Sequence, residues 1–227
     1  MSVTNAASPM SSATHSSRWV TISILCFIFF FVAVVISHLI RTDRNLTTHF
    51  LSEYVVGPNG FVMTSALTAL GVGLLAMTGG LWRNGAATTY TRIGLVLLGM
   101  AGSAMLVVVS FPTNLQYTPV TQSALIHDGA ALIFFCSVIA AIALISFGFQ
   151  SHGLWQKYYR SEAILALLAL VAFLVFFTIY PLQMGTEPLV PMLANVIEIW
   201  QRVLFLCIWL WLLVTALRLQ DLMHKVN

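Results

Sequence analysis

Residues 19–40, WVTISILCFIFFFVAVVISHLI, form an apolar run that contains no Asp, Glu, Lys or Arg. A helix needs about 20 such residues to cross a hydrocarbon core about 30 Å thick. The run is too long for the apolar region of a signal peptide, and Ser37-His38-Leu39-Ile40 does not resemble a small-residue cleavage site. We therefore expect this stretch to be retained as a membrane span.

Five further apolar stretches follow the first one, each bounded by charge, proline or a polar loop. The sequence therefore predicts an all-α protein in which six transmembrane helices form one bundle. The predicted spans are Trp19–Ile40, Gly60–Trp82, Ile93–Phe111, Leu125–Phe149, Ala163–Leu182 and Ile197–Leu219.

The composition excludes most other classes of protein. Of the 227 residues, 59% are hydrophobic and 7% are charged, whereas soluble globular chains are about 25% charged. The three cysteines lie inside apolar stretches without CxxC or Cys/His spacing, which argues against a disulfide scaffold. The formal charge is only +3 and no basic cluster is present, so a nucleic-acid partner is not expected.

Basic residues are concentrated on one side of the predicted membrane. The N-terminal tail, the second and fourth loops and the C-terminal tail share that side, and they hold Arg18, Arg83, Arg92, Lys157, Arg160, Arg218 and Lys225. The opposite side holds Arg41, Arg44 and Arg202. Because cytoplasmic loops are enriched in Lys and Arg, we predict that both termini are cytoplasmic and that the membrane is the cell inner (plasma) membrane. Residues 1–18 are predicted to be a flexible tail, 19–219 the membrane domain and 220–227 a second cytoplasmic tail.

Most polar residues able to do chemistry fall in the extracytoplasmic half of this topology. Ionisable groups at membrane depth are costly and usually face protein or a wet cavity. The asymmetry therefore predicts a polar pocket that opens outward and is walled by spans two, three, four and six. The candidate ligand-binding residues are His49, Ser52, Glu53, Asn114, His127, Asp128, Glu198 and Arg202.

Two pairs within this set have alternative interpretations. Glu198 and Arg202 are four residues apart and share a helix face, so they either form an ion pair or leave Arg202 to bind an anionic group such as a lipid phosphate. His127 and Asp128 are adjacent and point in different directions, which does not make a metal site. Asp128 lies in the first turn of the predicted fourth helix, where a capping or interface role is expected. His127 carries an imidazole, which can exchange a proton or bind a ligand, so it is either a ligand contact or a general base.

Sequence motifs assign no reaction. The patterns GxSxG, HExxH and GxxxxGK[ST] are all absent, so no nucleophile elbow, zinc hydrolase site or phosphate-binding loop is indicated. We therefore assign no catalytic residue, no metal ligand and no cofactor from the sequence.

A series of short motifs resembles the bacterial and archaeal family called domain of unknown function 998, whose members are multi-pass membrane proteins. The series consists of His49, Ser52 and Glu53 before a Gly-rich second span, Phe111-Pro112-Thr113, His127, and Glu198 with Arg202. The resemblance covers nearly the whole chain beyond the N-terminal tail and implies the same architecture and the same outer residues, without supplying a reaction. The family pattern often has an acid shortly after the proline, where this chain has Asn114.

Three functions are compatible with the sequence. In the first, the pocket binds a lipid or small amphipathic molecule from the membrane, with Arg202 on an anionic group and with His127 and Glu53 as hydrogen-bond partners. In the second, the protein is a structural or assembly subunit, which includes the possibility of a homo-oligomer. In the third, it is an intramembrane hydrolase or transferase. His127 would then be the base, with Ser52 as nucleophile or with Asp128 and Glu53 activating water.

The charge distribution predicts the location of both termini. A reporter that is active only in the cytoplasm is expected to be active when fused to either end of the chain. A reporter that requires export is expected to be inactive at both ends and active when inserted in an outer loop such as 41–59. An exported reporter that is active at either terminus would contradict the predicted orientation.

Overall fold

The fold is a helical bundle. The computed structural model describes residues 10–84, 88–115, 118–183 and 196–226. Within these ranges, six helices are long and apolar enough to cross a membrane, and no strand is present. The helices are α1 (Met10–Ile40), α2 (Gly60–Asn84), α3 (Thr89–Ser110), α4 (Gln122–Phe149), α5 (Tyr159–Gln183) and α6 (Ile197–Val226). The prediction of an all-α chain with six membrane-spanning helices is confirmed.

The helix boundaries differ from the predicted spans mainly where a helix continues past its apolar stretch. Helix α1 begins at Met10, within the predicted tail, because no Gly or Pro interrupts it before Ile40. Helix α6 continues to Val226, within the predicted second tail. Residues 1–9 and 227 of the two predicted tails lie outside the described residues.

Helix α4 begins earlier than the sequence predicted, and this changes the interpretation of Asp128. The N-cap is Thr121, whose side chain accepts a hydrogen bond from the backbone N–H of Ala124 at 3.2 Å. Asp128 therefore lies beyond the first turn of α4, which contains no acidic residue. The predicted capping role of Asp128 is wrong, because the helix already begins at Gln122, six residues before it. The apolar stretch used for the prediction begins only at Leu125, since Gln122 and Ser123 are polar.

Each helix packs against the next one in sequence, and α6 also packs against α1. The six helices therefore form a closed ring around an apolar core. Core side chains from different helices include Phe27, Met63, Leu98, Phe134 and Trp211, each fully or almost fully buried. We call the end of the bundle that carries loops 41–59 and 111–121 the outer end, after the predicted orientation.

Glycines set the closest helix crossings. A Cβ atom at Gly148 of α4 would lie 2.1 Å from Oγ1 of Thr91 and 2.7 Å from Oγ1 of Thr88, the N-cap of α3. At the α2–α3 crossing, a Cβ atom at Gly102 would lie 3.0 Å from the carbonyl oxygen of Gly71. In a bilayer, where apolar side chains gain little by leaving lipid for protein, such close approach supplies the dispersion energy that holds helices together.

Replacing Gly148 with alanine tests this packing. We expect Gly148→Ala to destabilise the protein by about 1–3 kcal/mol, because the new methyl group overlaps the threonine pair that starts α3. The measurement is the midpoint of thermal unfolding in detergent, where each kcal/mol corresponds to roughly 2–4 °C for a chain of this size.

A matched control is available on the same helix. A Cβ atom at Gly129 would meet nothing within 4 Å, so Gly129→Ala is expected to leave the midpoint unchanged or to raise it, because Ala favours helix over Gly. Equal midpoints for the two variants would contradict the packing argument.

Candidate functional site at the outer end

Arg41 organises the loop that follows α1. Its side chain is 1% exposed. The guanidinium donates to the carbonyl oxygen of Tyr54 at 2.7 Å and to that of Val56 at 2.8 Å. It also donates twice to the Asp43 carboxylate, at 2.8 and 2.9 Å. Arg41 thus fixes the loop onto the end of α1 and satisfies two backbone carbonyls near the membrane boundary.

Asp43 and Arg41 keep their charges over the physiological pH range. Hydrogen bonds from Arg41 lower the pKa of Asp43 to about 2 and raise the pKa of Arg41 itself. Since the folded-state pKa of Asp43 lies below the unfolded value of about 3.9, its contribution to stability is complete above that value. The contribution is lost only as the pH falls toward 2. This ion pair therefore does not act as a switch near neutral pH.

A short 3₁₀ helix, Leu51–Val55, follows in the same loop and contacts α2 and α6. The Glu53 carboxylate accepts a hydrogen bond from the backbone N–H of Phe50 at 2.9 Å, and the Glu53 N–H donates to the Phe50 carbonyl oxygen at 3.1 Å. The backbone N–H of Leu51 donates to Oε1 of Gln201 on α6 at 2.8 Å. Glu53 and Gln201 are 2% and 8% exposed. Glu53, predicted to orient a ligand, thus caps a helix.

Arg202 is the centre of the polar cluster at the outer end. Its guanidinium donates to Nε2 of His38 at 3.2 Å, and to the carbonyl oxygens of Glu198 at 2.8 Å and His49 at 2.9 Å. The Tyr54 ring lies 5.8 Å from the guanidinium carbon. Arg202 therefore contacts Glu198, its predicted partner, through the Glu198 main chain, and it joins α6 to α1 and to loop 41–59.

The positive charge of Arg202 is flanked by two acidic side chains. The carboxylates of Glu53 and Glu198 both act electrostatically on the Arg202 guanidinium. Glu198 is 5% exposed, so its charge is held inside the protein close to the cation. His38 adds no charge in this arrangement, because its Nδ1 bonds the carbonyl oxygen of Val34 at 2.7 Å while its Nε2 accepts from Arg202.

His127 is buried, at 4% exposure, and it satisfies the end of α3. Its Nδ1 lies 3.1 Å from the carbonyl oxygen of Val108 and 2.8 Å from that of Phe111. In a continuing helix, the Val108 carbonyl would accept from the backbone N–H four residues later, but that residue is Pro112, which has none. The imidazole N–H replaces the missing donor.

Two cavities adjoin this cluster. The larger one, the α1–α6 groove, has a volume of about 320 Å³ and is lined by Phe30, Phe31, Val34, Val35, His38, Leu39, Leu46, Leu51, Arg202, Phe205, Leu206 and Trp209. The smaller one, the His127 cavity, has a volume of about 30 Å³ and is lined by Leu51, Ser52, Leu67, Met105, Val108, His127, Ala131, Phe134, Phe135, Gln201 and Phe205. The predicted walls, spans two, three, four and six, are those of the smaller cavity. The larger one lies between α1 and α6.

Six of the eight predicted residues lie at these two cavities or in the polar cluster around Arg202. They are His49, Ser52, Glu53, His127, Glu198 and Arg202. Asn114 and Asp128 lie elsewhere. The Asn114 side chain accepts from the Thr121 hydroxyl at 2.7 Å and donates to the carbonyl oxygen of Pro119, so it shapes the α3–α4 loop. Asp128 is exposed on α4, on the side that faces Tyr180 of α5. Both residues lie at the outer end of the bundle, but neither side chain points to the Arg202 cluster.

Three residues of the site were absent from the predicted set: His38, Arg41 and Gln201. His38 is one turn beyond Val34, and both line the groove. That spacing is visible in the sequence, although α1 is apolar all round and no periodicity marks its inner face. Arg41 lies directly after an apolar span and reads as an ordinary interfacial cation. Gln201 belongs to the polar residues of the outer half, but it carries no charge and nothing in the sequence marks it as a contact of loop 41–59.

The geometry bears on the hydrolase alternative. His127 and Ser52 line the same cavity, but among the described residues no hydrogen bond joins the two side chains. The His49 ring bonds the Thr48 hydroxyl at 3.0 Å and the backbone N–H of Asn45 at 3.3 Å, within its own loop. In the described ranges, no three His, Cys, Asp or Glu side chains are grouped to hold a metal ion.

Two substitutions of His127 test the hydrogen bonds that its Nδ1 makes to α3. We expect His127→Ala to lower the free energy of unfolding by about 1–3 kcal/mol, because two carbonyls of α3 lose their donor in a buried setting. His127→Asn places an amide N–H at the position of Nδ1 and is expected to recover most of this loss. Thermal midpoints of the two variants provide the measurement. Equal losses would show that the bonds to α3 carry little energy.

The comparisons with known proteins agree with the architecture. A family model described as protein of unknown function (DUF998) matches residues 24–218. No curated protein and no solved structure matches the chain. Since the match covers most of the 227 residues and the described residues contain six membrane-spanning helices, the chain is a multi-pass membrane protein that belongs to the DUF998 family.

Proposed function

We propose that the protein binds a membrane lipid, with one acyl chain in the α1–α6 groove and the polar end of the lipid at Arg202. The observation that carries this proposal is the groove itself, an elongated apolar space of about 320 Å³ with a cation at its outer end. Ligand pockets typically have volumes of about 300–1,000 Å³ and combine apolar walls with a few polar groups that fix orientation.

The depth of the groove matches part of an acyl chain. The floor is formed where Phe31 stacks on Trp209, with ring centroids 4.4 Å apart. The indole N–H of Trp209 donates to the carbonyl oxygen of Phe27 at 2.8 Å and holds α6 against α1 at this level. Trp209 lies two turns of α6 below Arg202, which is roughly 10 Å. The walls between these levels are aliphatic or aromatic side chains.

The surroundings of Arg202 fit a zwitterionic or uncharged lipid head group better than a purely anionic one. A guanidinium has five N–H bonds, and three of them are donated to His38, Glu198 and His49. A fourth N–H forms a hydrogen bond with the Tyr54 side chain, and the remaining one can donate to a phosphate or ester oxygen of the lipid. Because two carboxylates, Glu53 and Glu198, already act on the single positive charge of Arg202, an anionic head group would add to an excess of negative charge, and a head group with no net charge is favoured.

We also propose the inner (plasma) membrane as the location. Seven of the ten basic residues lie on the side predicted to be cytoplasmic, as in helical proteins of plasma-type membranes. This leaves the groove open toward the outer leaflet, and the lipid would come from that leaflet.

Blocking the groove tests the proposal. Val35→Trp places a bulky ring in the groove wall, and we expect it to lower the amount of lipid that stays bound during purification in mild detergent by roughly tenfold, a loss of about 1.4 kcal/mol. Native mass spectrometry gives the lipid-to-protein ratio, and lipid extraction identifies the head group. Arg202→Gln is expected to change which head groups are retained.

The control places the same ring on lipid-facing surface. Leu167 of α5 is 59% exposed and lies outside the groove, so Leu167→Trp is expected to leave lipid retention unchanged. Equal and nonselective lipid retention by wild type, Val35→Trp and Arg202→Gln would contradict lipid binding in the groove.

A further inference from the structure

The His127 cavity is separate from the groove and has a different character. Leu51 and Phe205 line both spaces and form the partition between them. Ser52, His127 and Gln201 line only the smaller one, and the last two are 4% and 8% exposed. This cavity therefore contains polar side chains within an otherwise apolar core.

The hydrogen-bonding direction of His127 is set by its backbone contacts. Nδ1 lies within hydrogen-bond distance of the carbonyl oxygens of Val108 and Phe111, which only accept. Nδ1 must therefore carry the hydrogen. In the neutral imidazole the other nitrogen, Nε2, then carries a lone pair and acts as an acceptor.

The direction of Gln201 is set in the same way. Its Oε1 accepts from the backbone N–H of Leu51 at 2.8 Å, so its amide NH₂ group supplies two donors elsewhere. The Ser52 hydroxyl, one residue further along the 3₁₀ helix, can donate or accept. The cavity thus combines an acceptor, donors and a group that can serve as either.

We propose that the His127 cavity binds one water molecule, which donates to Nε2 of His127 and accepts from the amide of Gln201, with the Ser52 hydroxyl as third partner. The volume of about 30 Å³ accommodates a water, which needs roughly 10–15 Å³ for its centre and two to four polar partners. A cation would meet the Gln201 donors and an anion the His127 lone pair, so water is the ligand that matches both.

This water has a chemical consequence. Its hydrogen points to the lone pair on Nε2 of His127, and the water is separated from the groove by the side chains of Leu51 and Phe205. A water held by a neutral histidine is the arrangement used in general-base sites. The proposal concerns the water site alone and does not depend on lipid binding in the groove.

The direct test is an experimental structure of the full chain in nanodiscs at a resolution that shows ordered water. We expect a peak within about 3 Å of His127 Nε2, Gln201 Nε2 and Ser52 Oγ. The same peak is expected to be lost in His127→Asn, which keeps the donor to α3 and removes the acceptor. An empty cavity in the wild type, or a peak that persists unchanged in His127→Asn, would overturn the proposal.

A stability cycle gives an independent measurement that needs no high-resolution structure. If one water bridges the two residues, the lowering of the thermal midpoint in Ser52→Ala/His127→Asn is expected to be smaller than the sum of the two single effects. The control cycle replaces Ser52→Ala with Ser65→Ala, since Ser65 is exposed on α2, donates to the Phe61 carbonyl and does not line the His127 cavity. Additive effects in the first cycle would count against the bridging water.

Discussion

The structure of the outer end follows from the requirement that backbone groups at membrane depth be hydrogen-bonded within the protein. Two helices end there in ways that leave carbonyls without ordinary partners. At the end of α3, Pro112 supplies no N–H and His127 donates instead. After α1 the chain turns back through a 3₁₀ helix, and Arg41 donates to the carbonyls of Tyr54 and Val56. In each case, a polar side chain from a distant part of the sequence completes the local backbone.

This requirement explains why several residues that resemble a binding site are already engaged. Glu53 caps the 3₁₀ helix, Gln201 accepts from Leu51, and Arg202 bonds two carbonyls and a histidine. Few of their hydrogen-bonding groups remain available to a ligand, and each of these has a fixed direction. The remaining capacity consists of one N–H bond on Arg202, the second nitrogen of His127 and the amide donors of Gln201. The functional proposals rest on these groups and on the shapes of the two cavities beside them.

The sequence was sufficient for the helices and for which end of the bundle holds the polar cluster, because apolar length and chain alternation determine both. It was not sufficient to predict which face of each helix points to the core and which points to lipid. Residues that face lipid and residues that face the core of a membrane bundle are both apolar, so the rotation of each helix leaves little periodic signal. Asp128 and Asn114 were therefore grouped with His127 although they point elsewhere. The contact between His38 and Arg202, across 164 positions, requires the packed ring of helices.

The position of the groove has a consequence for how the protein is made. Helices α1 and α6 are the first and last of the six spans, and their contact closes the ring. Since the chain is synthesised from its N-terminus, the groove-facing side of α1 stays in contact with bilayer until the final span is inserted. On the lipid-binding proposal, a lipid resting on Phe30 and Val34 at that moment would be enclosed as the contact between α1 and α6 forms. On the same proposal, the groove would be loaded during biogenesis, and a chain stopped before α6 would lack the α1–α6 contact that encloses it.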